Sequence, residues 1–149
     1  MVYSLLFIGI GFIGMEISGA VIHKYLMHGV FWNIHKTHHM RQTGIFEKND
    51  LFSLFFGGIA ILLIVVGMDG YDFRFWTGWG MSLYGISYFL LHDLLIHRRM
   101  KLFKGPQSGY LAAMIRAHRA HHAHNQKHNA VSFGLFIVPF RFLKAKKRR

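Results

Sequence analysis

Histidine is both abundant and clustered in this sequence. The chain contains 12 histidines and no cysteine, so any metal that it holds must be bound through nitrogen or oxygen atoms. Ten of the histidines fall into four groups: His23 and His28; His35, His38 and His39; His92 and His97; and His118, His121 and His122. Because imidazole is the commonest metal ligand among side chains, the four groups predict a metal centre.

The spacing within the groups sets conditions on the helices that carry them. The second and fourth groups share the pattern H-x-x-H-H, and residues at i, i+3 and i+4 lie on one face of an α-helix. The other two are H-x4-H pairs, and five residues turn an α-helix by about 140° beyond one full turn. Each of these pairs therefore converges only if the helix ends or distorts between its members.

Ten candidate ligands are more than one ion needs, since a tetrahedral zinc takes about four. Two ions are therefore expected. Imidazole suits Zn, Cu, Fe and Ni, so the ligand type alone does not select the metal. Histidines beside apolar helices favour oxygen chemistry on an apolar substrate and hence iron, with zinc as a possible substitute. The remaining two histidines, His124 and His128, are expected to be exposed to solvent.

Three apolar runs must position these histidines, namely residues 2–22, 51–68 and 75–91. As helices they would be about 25 to 32 Å long, close to the thickness of the hydrocarbon core of a membrane. Residues 69–72 form a polar turn between the last two runs, and residues 108–123 suit a further helix. The sequence therefore predicts one all-α integral membrane domain over residues 1–149. It has three spans, or four if residues 130–143 also cross the membrane rather than forming an interfacial or re-entrant segment.

The distribution of positive charge predicts the orientation. Of the 18 Lys and Arg residues, all except Arg74 would lie on one side of a three-span bundle, and basic loops remain in the cytoplasm. The N-terminus is then outside, and all four histidine groups form a helical cap on the cytoplasmic side. Although the net charge is +12, the basic residues lie between apolar runs and in the tail, which indicates contact with anionic lipid rather than nucleic acid.

The motifs, taken with the strings between them, resemble a known family. The strings His23-Lys-Tyr-Leu-Met-His28, His35-Lys-Thr-His-His39, His92-Asp-Leu-Leu-Ile-His97 and His118-Arg-Ala-His-His122, together with Phe46-Glu-Lys-Asn-Asp-Leu51 and Val131-Ser-Phe-Gly134, are similar to those of the bacterial β-carotene hydroxylases in the fatty acid hydroxylase superfamily. The resemblance extends from about residue 16 to residue 136. The histidine pattern is typical of the wider superfamily. The strings between the motifs resemble those of its carotenoid ring hydroxylases.

This resemblance implies a non-haem di-iron monooxygenase of the bacterial inner membrane. It would use dioxygen and reduced ferredoxin to hydroxylate carbon 3 of β-ionone rings, converting β-carotene into β-cryptoxanthin and then zeaxanthin. The ten motif histidines carry over as iron ligands, and no further catalytic residue is implied. A basic patch of Arg98, Arg99 and Lys101 is a candidate docking site for the acidic surface expected of a ferredoxin, and contact with anionic lipid is the alternative.

Three of the six carboxylates are candidates for supporting the ligands by hydrogen bonds. Glu16 lies on the first apolar run, where an ionisable residue is unusual, and packing or pairing is the alternative role. Asp93 follows His92 directly, and Asp50 is the fifth residue of the string Phe46–Leu51.

Two other functions are compatible with the same residues. One is a related membrane di-iron enzyme, either a fatty acyl or sterol hydroxylase or desaturase, or a carotenoid ketolase. The other is a metal transporter, which would place its ligands near the middle of the spans. Histidines at the ends of the apolar runs disfavour transport.

Overall fold

The computed structural model describes residues 1–40, 46–100, 105–106, 108–123 and 127–144, and within these ranges all regular structure is helical. The prediction of an all-α fold is confirmed. The α-helices are α1 Val2–Ile22, α2 Trp32–His39, α3 Asp50–Val66, α4 Phe73–Tyr88, α5 Gly109–His122 and the short α6 Phe140–Leu143. Two π-helical segments, His23–Met27 and Phe89–Ile96, continue α1 and α4 without a break.

The three apolar runs form α1, α3 and α4. The helix Val2–Met27, which is α1 with its π-helical end, is long and apolar enough to cross a membrane, whereas α3 is a shorter apolar helix of 17 residues. Large apolar side chains on these helices are exposed, among them Leu5 at 62% and Leu54 at 71%. An exposed apolar surface of this extent is typical of contact with lipid or with a partner.

Helix α4 packs between α1 and α3, and glycines let the backbones approach closely. A Cβ atom on Gly11 of α1 would lie 2.2 Å from the carbonyl oxygen of Thr77, and one on Gly80 would lie 2.1 Å from that of Ile8. On the opposite side, a Cβ on Gly78 would lie 2.7 Å from the carbonyl oxygen of Ala60 in α3. Helix α1 is parallel to α4, because Phe7 near its start contacts Phe73 and Glu16 farther along accepts from Tyr84. Helix α3 is antiparallel to α4, because Gly67 at its end lies against Phe75 and Ala60 lies against Gly78. Helices α1 and α4 therefore end on the same side.

The polar turn and helix α5 lie close to where the sequence predicts them. Residues 67–71 form the turn, and Asp72 caps α4 by accepting a hydrogen bond of 2.8 Å from the backbone N–H of Arg74. Helix α5 coincides with the predicted segment 108–123.

Residues 130–139, for which several placements were possible, are not helical. They pack into the bundle, where Leu135 is buried with Ile96, Met114 and Ile115. Their backbone N–H groups need partners in this apolar setting. Glu16 supplies two of them, accepting from the N–H of Ile137 at 2.7 Å and from that of Leu135 at 3.3 Å. The only helix in this part of the described chain, α6, has four residues and is too short for a fourth span.

Candidate metal centre

The four histidine groups meet at one end of the bundle. They lie on the π-helical end of α1, on α2, on the π-helical end of α4 and on α5. Because α1 and α4 are parallel and end on the same side, the pair His23 and His28 lies close to the pair His92 and His97. Helices α2 and α5 pack there and present the H-x-x-H-H motifs. His121 has no exposed surface, and His35 is 1% exposed.

Both H-x4-H pairs are closed by the π-helical segments. The backbone N–H of His28 donates to the carbonyl of His23 at 3.0 Å, and that of His97 donates to the carbonyl of His92 at 2.9 Å. This i→i+5 bonding brings residue i+5 back toward the side of the helix that carries residue i, so the ring centroids are 5.2 Å apart in the first pair and 4.6 Å in the second. The expectation that the helix distorts within each pair is confirmed.

Nine of the ten motif histidines form two compact groups, and within each group the candidate ligand atoms all lie within 4.8 Å of one another. The first histidine group consists of His23, His28, His35, His39 and His121. The second histidine group consists of His38, His92, His97 and His118. The tenth, His122, lies between them, with its ring 4.3 Å from that of His39 and 4.5 Å from that of His118.

The Nε2 atoms within each group face one another at short range. The separation is 2.9 Å between His23 and His35. It is 3.2 Å between His28 and His121. In the second group, the Nε2 atoms of His38 and His92 are 3.1 Å apart. Two imidazole nitrogens that bind one ion at about 2.1 Å, at angles of about 90 to 110°, are themselves about 3.0 to 3.4 Å apart.

These facing nitrogens cannot be paired by hydrogen bonds. In all three pairs each Nδ1 atom lies 2.7–3.1 Å from an oxygen that only accepts: a backbone carbonyl, an amide oxygen or a carboxylate. Nδ1 therefore carries the proton, and both Nε2 atoms present lone pairs to each other. Such lone pairs repel unless a cation lies between them, so the two groups fit metal ions.

Burial keeps the imidazoles neutral, which is the form that binds metal. Loss of hydration lowers the pKa of His35 to about 3 and that of His121 to about 3. In the second group, burial followed by neighbouring imidazoles lowers the pKa of His38 well below its usual range. At neutral pH these nitrogens are available as ligands.

Two of the three candidate supporting carboxylates do not contact a histidine among the described residues. Asp93 does, since the Nδ1 of its neighbour His92 donates to it at 2.8 Å. Glu16 instead accepts from Tyr84 at 2.9 Å and from the backbone of residues 135 and 137, which favours the packing and pairing role. Asp50 accepts from the backbone N–H of Glu47 and from the side chain of Arg99. Glu47 therefore stands between Asp50 and the histidine that it contacts, His38.

Two supporting residues were missed in the sequence. Glu47 accepts from the Nδ1 of His38 at 2.8 Å, and Asn49 accepts from that of His35 at 2.7 Å. Both belong to the string Phe46–Leu51, which in the sequence indicates only the family resemblance. The signal that could have identified Glu47 is the scarcity of carboxylates, of which the chain has only six.

The prediction that Arg99 belongs to a docking patch is wrong. Its side chain is 9% exposed and pairs with Glu47, with Asp50 at 2.8 Å and with Asp93 at 3.6 Å. Its neighbour Arg98 is exposed, and Lys101 lies outside the described residues. His128 is exposed as predicted, whereas His124 lies outside the described residues.

A cavity of about 670 Å³ leads from the apolar bundle to the histidines. Its wall includes Leu54 and Gly57 of α3 and Gly85 and Ile86 of α4. Its inner end reaches both histidine groups, through His23, His35, His92 and His118. Because Leu54 and Ile86 are exposed, the cavity opens to the outside between α3 and α4.

Comparison with known proteins identifies the class to which this fold and site belong. The family model described as fatty acid hydroxylase matches residues 8–140. The chain therefore belongs to the fatty acid hydroxylase family, whose members are oxygenases that are generally membrane-bound.

Similar proteins within that class include carotene hydroxylases. The chain is 42% identical over 138 residues to the β-carotene hydroxylase of Pantoea ananas, a match that covers 93% of this chain and 79% of that protein. It is 44% identical over 138 residues to the β-carotene hydroxylase of Pseudescherichia vulneris, covering 93% and 78%. The chloroplastic β-carotene 3-hydroxylase 1 of Arabidopsis thaliana is 35% identical, covering 85% of this chain and 42% of that protein. No solved structure matches the chain.

Proposed function

We propose that this protein is a β-carotene 3-hydroxylase, a membrane di-iron monooxygenase. It would insert one oxygen atom of dioxygen at carbon 3 of a β-ionone ring, giving β-cryptoxanthin and then zeaxanthin. The second oxygen atom leaves as water, with two electrons and two protons supplied from outside. The observation that carries the proposal is the pair of histidine groups, with facing unprotonated Nε2 atoms, at the inner end of an apolar cavity.

The ten motif histidines are the proposed iron ligands. The first histidine group would hold one ion and the second histidine group the other, and His122 is placed to serve either. Bound iron would supply the reductive activation of dioxygen. Zinc, which also accepts imidazole, would occupy the same positions without this redox chemistry.

The protein itself contributes position and exclusion of water. The cavity wall is largely apolar, so it favours a hydrocarbon ring over water. A ring that enters between α3 and α4 would approach the histidines directly from the bilayer, and the rest of the polyene could remain in lipid. Tyr88, whose ring stacks on His92 at 4.2 Å, would help to close the inner end of the cavity.

The membrane setting follows from the same arrangement. The apolar faces of α1, α3 and α4 would contact lipid in three spans, with the N-terminus outside and the histidine end at the cytoplasmic side of the inner membrane. The concentration of Lys and Arg at that end supports this orientation. It would also attract an acidic electron donor such as ferredoxin, for which the exposed Arg98 is available and the buried Arg99 is not.

The test is expression in a bacterium that accumulates β-carotene, with pigments separated by chromatography and iron measured on the same purified protein. We expect zeaxanthin, β-cryptoxanthin as an intermediate, and about two iron ions per chain. Unchanged β-carotene beside iron-loaded protein would reject the substrate and favour a fatty acyl or sterol hydroxylase or desaturase. A 4-keto product would indicate a ketolase, and protein that binds no iron would reject the di-iron assignment.

A further inference from the structure

The two histidine groups differ in what their ring N–H groups contact. In the first histidine group, His23, His28 and His121 donate to backbone carbonyls of residues 133, 127 and 131, and His35 donates to the amide oxygen of Asn49. All four of these acceptors are neutral. In the second histidine group, His38 and His92 donate to the carboxylates of Glu47 and Asp93. A carboxylate acceptor makes the imidazole a stronger donor to a metal.

A single arginine joins the carboxylates behind the second histidine group. The guanidinium of Arg99 contacts the Oε1 atom of Glu47 that also accepts from His38. Its Nε lies 3.6 Å from the Oδ1 atom of Asp93 that also accepts from His92. Two further contacts, at 2.8 and 3.1 Å, hold Asp50. Arg99 therefore completes a ring of contacts that runs through Glu47, His38, His92 and Asp93.

The geometry and charge of this cluster suit a metal cation. The Glu47 side chain is 4% exposed and that of Arg99 is 9% exposed, so neither charge is well solvated. Three carboxylates outnumber one guanidinium, which leaves the cluster with negative formal charge that a cation held by neutral imidazoles would offset. The planar fork of arginine can hold several carboxylate oxygens at fixed angles, which the single ammonium of lysine cannot do.

We propose that Arg99 is a positioning residue for the second metal ion, acting through Glu47 and Asp93 on His38 and His92. Its removal releases the ion of the second histidine group and leaves the ion of the first in place. The inference rests on the proposed function, because it requires two metal positions. It assigns to Arg99 a selective effect that a residue important only for folding would not have.

The experiment measures metal binding rather than turnover. Purified wild-type protein and the Arg99→Met, Arg99→Lys and Arg98→Met variants are stripped of metal and reloaded with ferrous ⁵⁷Fe under nitrogen. Bound iron is measured by mass spectrometry, and the iron environments are measured by Mössbauer spectroscopy. Arg98→Met is the matched control, since it makes the same change at the exposed neighbouring residue.

We expect about two ions and two quadrupole doublets in the wild type and in Arg98→Met, and about one ion and one doublet in Arg99→Met. The doublet lost should be the one that His118→Ala removes, not the one that His121→Ala removes. Arg99→Lys keeps the charge and should fold even if Arg99→Met does not, yet bind the second ion at least about 10-fold more weakly.

Two results would overturn the inference. Folded Arg99→Lys that binds two ions with wild-type affinity would show that the arginine fork is dispensable. Parallel loss of both doublets in the Arg99 variants would show a general structural role. Wild-type protein that binds no iron would instead reject the proposed function, and the inference with it.

Discussion

The two histidine groups are built from the same side chain but are held by different parts of the chain. The first histidine group is fixed mainly by backbone carbonyls of residues 127–133, a segment without regular secondary structure. The second is fixed by two side-chain carboxylates that Arg99 joins. In one group the orientation of the rings depends on the path of a segment, and in the other it depends on a buried charge cluster.

Histidines of one motif therefore contribute to two candidate metal positions with different surroundings. Neutral carbonyls set the tautomer of a histidine and leave the charge of a bound ion uncompensated. Carboxylates set the same tautomer and also stabilise positive charge at the metal. We therefore expect the second position to bind iron more tightly than the first, and the substitutions below test whether the two positions respond independently.

The largest effect is expected from removing a ligand in either group. His121→Ala and His35→Ala in the first group, and His38→Ala in the second, should each lower product formation by more than about 100-fold, since supporting residues alone contribute 10- to 100-fold. Chromatography of the pigments measures the loss. His128→Ala, at an exposed histidine, is the control, and His124→Ala is likewise expected to be tolerated. Normal product from any of the three ligand variants would contradict the assignment of that histidine.

A smaller loss, in iron affinity, is expected when the hydrogen-bond acceptor of a single ligand is changed. Glu47→Gln keeps an oxygen that can accept from His38 but removes the negative charge, so iron affinity should fall by about 10- to 100-fold. A competition assay with a chelator measures this affinity. Asn49→Ala, which removes the neutral acceptor of His35, should weaken only the first position. An equal loss at both positions in either variant would mean that the two groups act as one unit.

The cavity offers a change that should affect turnover without affecting either metal. Gly57 lines the cavity, and a Cβ atom added there meets nothing within 4 Å. Gly57→Leu should therefore fold while filling the space for a ring, lowering product formation by about 10-fold with two ions still bound. Gly58→Leu is the matched control, because its Cβ also meets nothing and Gly58 is not among the residues that line the cavity. Equal activity in the two variants would place the substrate elsewhere.

Much of this architecture could be predicted from the sequence, because it depends on local patterns. Apolar runs predicted α1, α3 and α4, and their lengths placed four histidine groups at one end. The H-x4-H spacing correctly required distortion of the helix.

The supporting contacts could not be predicted in the same way. A backbone carbonyl such as that of Phe133 has no signature in sequence, since every residue carries one. In the sequence, Arg99 resembles part of a solvated basic patch because it stands beside Arg98. Its burial depends on three carboxylates, Glu47, Asp50 and Asp93, that converge only in the folded chain.

The smallest effect is expected at Tyr84, whose ring lies 6.2 Å from that of Tyr88. Its hydroxyl donates to Glu16, which also accepts from the backbone N–H groups of residues 135 and 137. Tyr84→Phe removes one hydrogen bond to a buried carboxylate, so the free energy of unfolding should fall by about 1 to 3 kcal/mol. A thermal melt in detergent measures this, with Tyr3→Phe at an exposed tyrosine as the control.

Tyr84→Phe also tests whether the two histidine groups are held in place independently. Glu16 holds residues 135–137, and this segment continues from Phe133, whose carbonyl accepts from His23 in the first histidine group. Loosening that segment should broaden only the Mössbauer doublet of the first position, because the second position depends on Arg99 and its carboxylates. If the doublet of the second position changes instead, the bundle transmits strain between the groups, and their supports are not independent.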